Sequence, residues 1–175
     1  WNNRGDDATY EAGLASPKNN SSKMEIWALA DTPEYKETTV RDEATPSVSY
    51  VGWKMGAENF ADGKESTFWN GHNDPNLQTK DQWMMYDLGE RKAEITGSQI
   101  RFYDDGGGVV TPTGIKIEYT DENGEWKEVT PKGTWSYKGN QDVVYEHEPV
   151  TTSKIRITMT HAKNGTTKIA VAVKD

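Results

Sequence analysis

The sequence predicts an all-β chain: an antiparallel sandwich or jelly roll of about eight short strands, with an irregular N-terminal extension. Three observations carry this prediction. From about residue 47 onward apolar residues recur at every second position, the period of a strand with one wet face. Clusters of Gly, Pro, Asn and Asp separate these runs at short intervals, as turns do. After residue 45 no stretch carries the three-to-four spacing of an amphipathic helix.

Taken in order, "SVSYVGW" is the first strand-like run. "QWMMYDLG" sets Met84, Tyr86 and Leu88 on one face against Trp83 and Met85 on the other, the pattern of a central, doubly covered strand. "ITGSQIRFY" follows, and then "GIKIEYT", with Ile115, Ile117 and Tyr119 opposite Lys116 and Glu118. "YTDENGEWKEV" is a hairpin signal, because Asn123–Gly124 tolerates positive φ and Trp126 resumes the strand. "DVVYEHEPV" and "SKIRITMTH" come next, the latter alternating Ile155, Ile157 and Met159 with Arg156, Thr158 and Thr160. "TKIAVAVK" closes the pattern with Ile169, Val171 and Val173.

Residues 1–43 read differently. "PKNNSSK" is a loop, "KMEIWALAD" is a strand or one helical turn, and "TPEYKETTVRDEATP" is a linker with Pro at each end. The segment is either the tail of a preceding domain or an extension packed on the sandwich, which then spans 44–175. Its Arg4–Gly5–Asp6 tripeptide is easily accidental in a chain rich in Gly and Asp.

Composition narrows the partners. A net charge of −8 argues against nucleic acid and anionic lipid, both of which need clustered cations. No apolar run approaches membrane-spanning length. Zero cysteines exclude a disulfide scaffold and a thiolate metal site. Seven Trp, eight Tyr and three Phe supply apolar bulk to an otherwise lean core.

Three stretches in order then carry a resemblance: "SVSYVGWKMGAENFADGKESTFWNG", "DQWMMYDLGERKAEITGSQIRFYDDGGGVVTPTGIKIEYTDENGEWKEV" and "SKIRITMTH". Their motifs are Ala61–Asp62–Gly63 leading to Thr67–Phe68–Trp69, Trp83 leading to Asp87–Leu88–Gly89, Ile95 to Phe102, and Ile117 to Trp126. Over 47–175 the chain resembles the discoidin, or coagulation-factor C-type, domain, and within it the bacterial family 32 carbohydrate-binding modules. The resemblance implies a galactose-binding-domain-like jelly roll of eight strands. It also implies a secreted or cell-surface bacterial protein, a covalently linked glycoside hydrolase domain, and glycan binding by loops at one end of the sandwich.

In that family the Asp62–Thr67 turn wraps a structural calcium. The carried-over ligands are the Asp62 carboxylate, the Thr67 hydroxyl and carbonyl, and the main-chain oxygens of Phe60 and Glu65. The family adds a Glu from the last strand, where this chain has Lys168. A lysine removes an anionic ligand and adds like charge, so the alternative stands that Asp62–Gly63 is a bare turn closed by Thr67.

Sugar recognition needs an aromatic face and polar groups that reach hydroxyls. The loops expected at the binding end offer Trp53, His72 and Asn73, then Tyr103, Asp104 and Asp105, then Trp135 and Tyr137. Trp69, Trp83 and Trp126 sit in strand-like positions and read as core. Asp104 and Asp105 are either acceptors for sugar hydroxyls or anchors of their own Gly-rich loop. They are not a catalytic pair, because glycoside hydrolysis sets two carboxyl groups about 5–9 Å apart across the sugar. No phosphate-loop lysine follows the glycines and no G-x-S-x-G elbow occurs. The expectation is a non-catalytic carbohydrate-binding module. The alternative is an adhesion or protein-interaction module, or an accessory domain packed on its own enzyme.

Overall fold

A computed structural model describes residues 40–76 and 79–160 and the backbone of 172–173. They belong to one compact unit, Val40–Asp175. The N-terminal segment up to residue 39 lies outside the described residues, as do Ile169 and Val171 of the last expected strand.

The strands are β1 (Thr45–Val48), β2 (Trp69–Asn70), β3 (Gln82–Asp87), β4 (Ala93–Ile100), β5 (Gly114–Thr120), β6 (Trp126–Glu128), β7 (Val143–Thr152), β8 (Lys154–Thr160) and β9 (Ala172–Val173). Five form one sheet in the order β1-β3-β8-β5-β6, while β4 pairs with β7 and β2 with β9. Every strand pair is antiparallel. Ile100 of β4 and Tyr145 of β7 join Met84, Ile117, Ile155, Ile157 and Met159 in one buried cluster. The β4–β7 pair therefore closes over the five-stranded sheet as the second layer of a sandwich.

The alternation in "SKIRITMTH" appears as expected: Ile155, Ile157 and Met159 are buried while Arg156 and Thr158 are half-exposed. Register places Ile117 opposite Ile157 and Ile115 opposite Met159, so apolar side chains stack across β5 and β8. Deleting such a side chain costs about 2–5 kcal/mol, because the packed interior relaxes only in part. The β5–β6 hairpin turns at Gly124, φ 84°. Asp121 holds it there, its Oδ1 accepting the N–H groups of Asn123 and Glu125 at 2.9 Å each.

Three details depart from the sequence pattern. Thr45–Pro46, read as linker, is the start of β1. Proline is tolerated there because β1 lies at a sheet edge and pairs only with β3. Trp83 and Trp126, read as core, are half-buried. Trp126 lies under the Arg156 guanidinium, 4.1 Å from its ring centroid, which gives it a cation–π partner instead of a core pocket. Glu118, read as solvent-facing, is 8% exposed, paired with Arg156 at 3.2 Å and Lys116 at 3.4 Å.

Candidate functional site

One corner is built around Trp53. After β1, Gly52 N–H donates to the Asn70 carbonyl at 2.8 Å, and the buried Trp69 indole donates to the Tyr50 carbonyl at 2.7 Å. A Cβ on Gly52 would lie 2.4 Å from the His72 carbonyl oxygen, so only glycine lets the two segments approach. Met55 N–H returns to the Gly52 carbonyl at 2.9 Å. The enclosed Trp53 and Lys54 take φ of 55° and 60°. Left-handed backbone costs about 1–3 kcal/mol for a residue with a side chain and concentrates where a side chain is presented to a ligand. Trp53 is 66% exposed, and its ring meets His72 edge-on, with centroids 5.6 Å apart and planes at 82°.

The His72 segment is held from below. Asn70 Oδ1 accepts His72 N–H at 2.8 Å. Gln82, 0% exposed, donates Nε2–H to the Gly71 carbonyl at 2.8 Å and to Asp74 Oδ2 at 3.2 Å. The buried Asp74 in turn accepts Asn76 N–H at 2.8 Å. Asn73 stands exposed with φ 68°.

The Asp104–Gly108 loop is organised the opposite way. Asp104 accepts Thr111 N–H at 2.9 Å and Thr111 Oγ1–H at 2.7 Å on Oδ2, and Gly106 N–H at 2.8 Å on Oδ1. The Thr111 N–H, working against partial burial, holds the Asp104 carboxyl below its usual value, with the Thr111 hydroxyl and Gly106 N–H adding to it. Asp105 Oδ1 accepts Gly107 N–H at 2.8 Å and Val109 N–H at 3.1 Å. Both acids thus anchor their own loop. Asn140 clamps it from the far side, donating to the Asp104 carbonyl at 2.9 Å and accepting Asp104 N–H at 3.1 Å. Tyr103 is half-buried and packs on Phe68, with ring centroids 4.7 Å apart, over Val109. This contact joins the Asp104 loop to the segment that carries Asn70 and His72.

Trp135 and Tyr137 form a different group. Trp135 is half-buried, donates Nε1–H to the Glu146 carbonyl at 2.9 Å, and meets the Tyr145 ring edge-on at 5.7 Å. Tyr137 stacks on the same Tyr145 at 6.3 Å. Burial, with a smaller contribution from Tyr137, pushes the Tyr145 hydroxyl up to about 12. Trp135 thus lies beside the middle of β7, where Lys132 N–H also bonds Glu146. Among the described residues no ring contact joins this group to Trp53 and His72.

In the Asp62–Thr67 turn, Thr67 Oγ1 lies 2.8 Å from Asp62 Oδ2, 3.4 Å from the Asn59 carbonyl and 3.3 Å from the Lys64 carbonyl. These carbonyls are one residue before Phe60 and Glu65, the oxygens named from the family. The Phe60 carbonyl accepts Tyr86 O–H at 3.5 Å, and the Glu65 carboxylate, a group separate from its main-chain oxygen, pairs with Arg101 at 2.8 Å. Burial alone would raise the Asp62 carboxyl, but hydrogen bonds from Thr67 and Lys64 N–H and the Lys64 charge lower it. Calcium takes six to eight oxygens. The turn gathers more acceptors than its one hydroxyl proton serves, which fits a hard cation in kind. It falls short in number, and Lys64 Nζ already sits 3.7 Å from Asp62. No group of three or more His, Asp or Glu able to hold a metal occurs among the described residues, and Lys168 lies outside them.

The F5/8 type C domain model matches residues 42–173. The chain belongs to that family. No curated protein matches it in sequence. Among solved structures, the fold is similar to the family 32 module of Clostridium perfringens NanJ in complex with galactose, at TM-score 0.58 and 20% identity, covering 77% of this chain and 91% of that one. It is also similar to a structure from the Streptococcus pneumoniae β-galactosidase BgaA, at TM-score 0.61 and 12% identity, covering 75% and 94%. A third is CpGH89CBM32-5 of Clostridium perfringens in complex with GalNAc-β-1,3-galactose, at TM-score 0.54 and 16% identity, covering 77% and 93%.

Within this F5/8 type C domain, sequence reasoning missed the residues that set loop geometry. Gln82 and Asn140 were not singled out by any motif. Arg101, which reaches Glu65 and Asp142 at 2.8 Å each, was likewise not singled out. Only the buried polar partners of Gln82 mark it as special, and those are fixed by tertiary contacts. No helix among the described residues is long and apolar enough to cross a membrane.

Proposed function

We propose that this F5/8 type C domain is a non-catalytic carbohydrate-binding module whose glycan contact is the Trp53–His72 corner. The observation that carries the reading is Trp53 itself: a two-thirds exposed indole held on left-handed backbone and set edge-on against an imidazole. An indole face takes the C–H side of a pyranose, and His72 and the exposed Asn73 offer hydrogen-bonding groups beside it. Asp104 and Asp105 shape the neighbouring loop, and Tyr103 transmits its position. Trp135 and Tyr137 support the flank of β7. Further parts of the proposal follow from the family: export to the cell exterior, and covalent linkage to a glycoside hydrolase domain that the module holds near its glycan. Weak individual contacts suffice for such tethering, because linkage raises effective concentration. Calcium, if taken by the Asp62 turn, would be weakly held, by Asp62, Thr67 and the Asn59 and Lys64 carbonyls, and would stiffen the turn.

The galactose and GalNAc-β-1,3-galactose complexes of the structural neighbours make these two sugars the first probes. The test is a glycan array, followed by calorimetric titration of the best ligand against wild type and Trp53→Ala. Binding that disappears in the variant supports the reading. Binding that survives there, or no glycan bound at millimolar concentration, overturns it.

A further inference from the structure

The Trp53–His72 corner does not stand on its own loop chemistry. Two loops meet there, each with left-handed residues: Trp53 and Lys54 on one, Asn73 on the other. Strained backbone persists only where its surroundings over-determine it. For the 70–76 segment one side chain from outside it, Gln82, reaches both sides of His72. Gln82 is the first residue of β3, is 0% exposed, and is paired through its backbone register with Met159 of β8. Its position is therefore that of the central sheet. From there Nε2 donates both to the Gly71 carbonyl and to the Asp74 carboxylate, bracketing His72 from each side along the chain.

The fit leaves no slack. A Cβ on Gly71 would stand 2.4 Å from both terminal atoms of the Gln82 amide. Asp74, itself 5% exposed, uses its other oxygen to hold Asn76 N–H. One step out, the Gly52 contacts with Asn70 and His72 pass the same placement to the turn that carries Trp53.

We infer that Gln82 is the positioning residue of the glycan site: its buried amide, fixed by β3, sets where His72 stands and hence how Trp53 presents its face. The inference rests on the glycan reading for its functional meaning, but the geometry it asserts is measurable without any sugar. Two features make glutamine the required residue. A primary amide donates two hydrogens, and one acceptor here is an anion, so the bond to Asp74 is charge-assisted. Glutamate would place two carboxylates in contact within a buried site, and methionine would keep the volume but leave Gly71 and Asp74 without their donor.

The test uses NMR on the full chain. With three histidines in the sequence, the His72 imidazole signals are assignable by His72→Gln. In wild type these signals are expected to carry a ring-current displacement from Trp53, 5.6 Å away, that Trp53→Ala removes. Gln82→Met and Gln82→Glu are expected to remove most of that displacement while leaving the His147 signals in place. Adding Asp74→Asn to Gln82→Glu reverses donor and acceptor across the pair and is expected to restore part of it. In parallel, galactose and GalNAc-β-1,3-galactose are titrated at a temperature well below each variant's melting point. Affinity should fall about tenfold in Gln82→Met, the equivalent of one lost charge-assisted hydrogen bond, and partly recover in the double variant. A His72 signal unmoved in folded Gln82→Met overturns the inference, whatever the sugars do. His147 signals that move together with those of His72 would mean a general loss of packing and also overturn it. If His72 moves as expected but wild type binds neither sugar nor any arrayed glycan, the positioning role stands and the glycan reading falls. Should Gln82→Glu fail to fold, Gln82→Met decides alone.

Discussion

The Trp53 corner and the Asp104 loop are neighbours, joined through the Phe68–Tyr103 contact, and both rest on glycine. They use it in opposite ways. At the corner, Gly52 lets two segments touch, and the result is a large aromatic ring pushed outward with its polar support beneath. In the Asp104 loop, the glycines expose N–H groups that two carboxylates gather inward, so the side chains best suited to meet a ligand are turned to the chain itself. By residue type alone, two adjacent acids in a Gly-rich loop and a tryptophan after a strand are both candidates for ligand contact. The hydrogen bonds separate the two: at the corner polar groups support an exposed ring, and in the loop they close on themselves.

The largest effect that would break this contrast is on binding. Trp53→Ala should reduce glycan affinity by at least about tenfold, as loss of an aromatic anchor does. Because Trp53 is 66% exposed, its melting temperature should not fall. A parallel loss of stability, read by calorimetric melting, would make Trp53 structural. Next is Gly139→Ala on the other side. A Cβ there would lie 2.3 Å from Thr111 Oγ1 and 2.8 Å from Asp104 Cβ, so overpacking should cost about 1–3 kcal/mol of stability. Equal stability would mean that the Asp104 loop is looser than its hydrogen bonds imply.

Asp104→Asn should be smaller, about 1 kcal/mol, since asparagine keeps one acceptor where carboxylate offered two. Its sign with pH is fixed by the lowered carboxyl. The stabilisation is fully present above the unfolded value of about 4 and is lost as pH falls through the lower folded value. Melting curves of wild type and variant should therefore converge as pH drops below about 4. A gap that stays constant into acid would show that charge is not what the loop uses. Smallest is calcium: melting with the added ion and with chelator should differ in midpoint by less than wild type and Asp104→Asn do. An unchanged midpoint would leave the Asp62 turn to its own hydrogen bonds and Lys64.

Much of the sandwich was legible because its strands bury one face. Ile155, Ile157 and Met159 announce themselves by period, and register follows from it. Trp53 and His72 were legible as candidates because an aromatic and a histidine occur where strand gives way to loop. What sequence could not convey was direction. Asp104 and Asn140 lie 36 positions apart, and the Asn140 side-chain amide meets the Asp104 main chain, so the aspartate's identity gives no sign of the bond. Glu118 alternates like any wet-face acid, and the Arg156, Lys116 and Thr158 side chains beside it make a buried carboxylate tolerable. Trp83 and Trp126 read as core because tryptophan usually is, yet one face of the five-stranded sheet takes them half-covered.

The five-stranded sheet is bordered by β1, four residues long with Pro46 inside it, and by β6, three residues long. A proline has no N–H to offer an incoming strand, and three residues give it little to read. The five-stranded sheet thus carries blunt margins where an open sheet invites its own copies. Neither margin of that sheet gives an incoming copy of the chain a long template on which to zip into fibres.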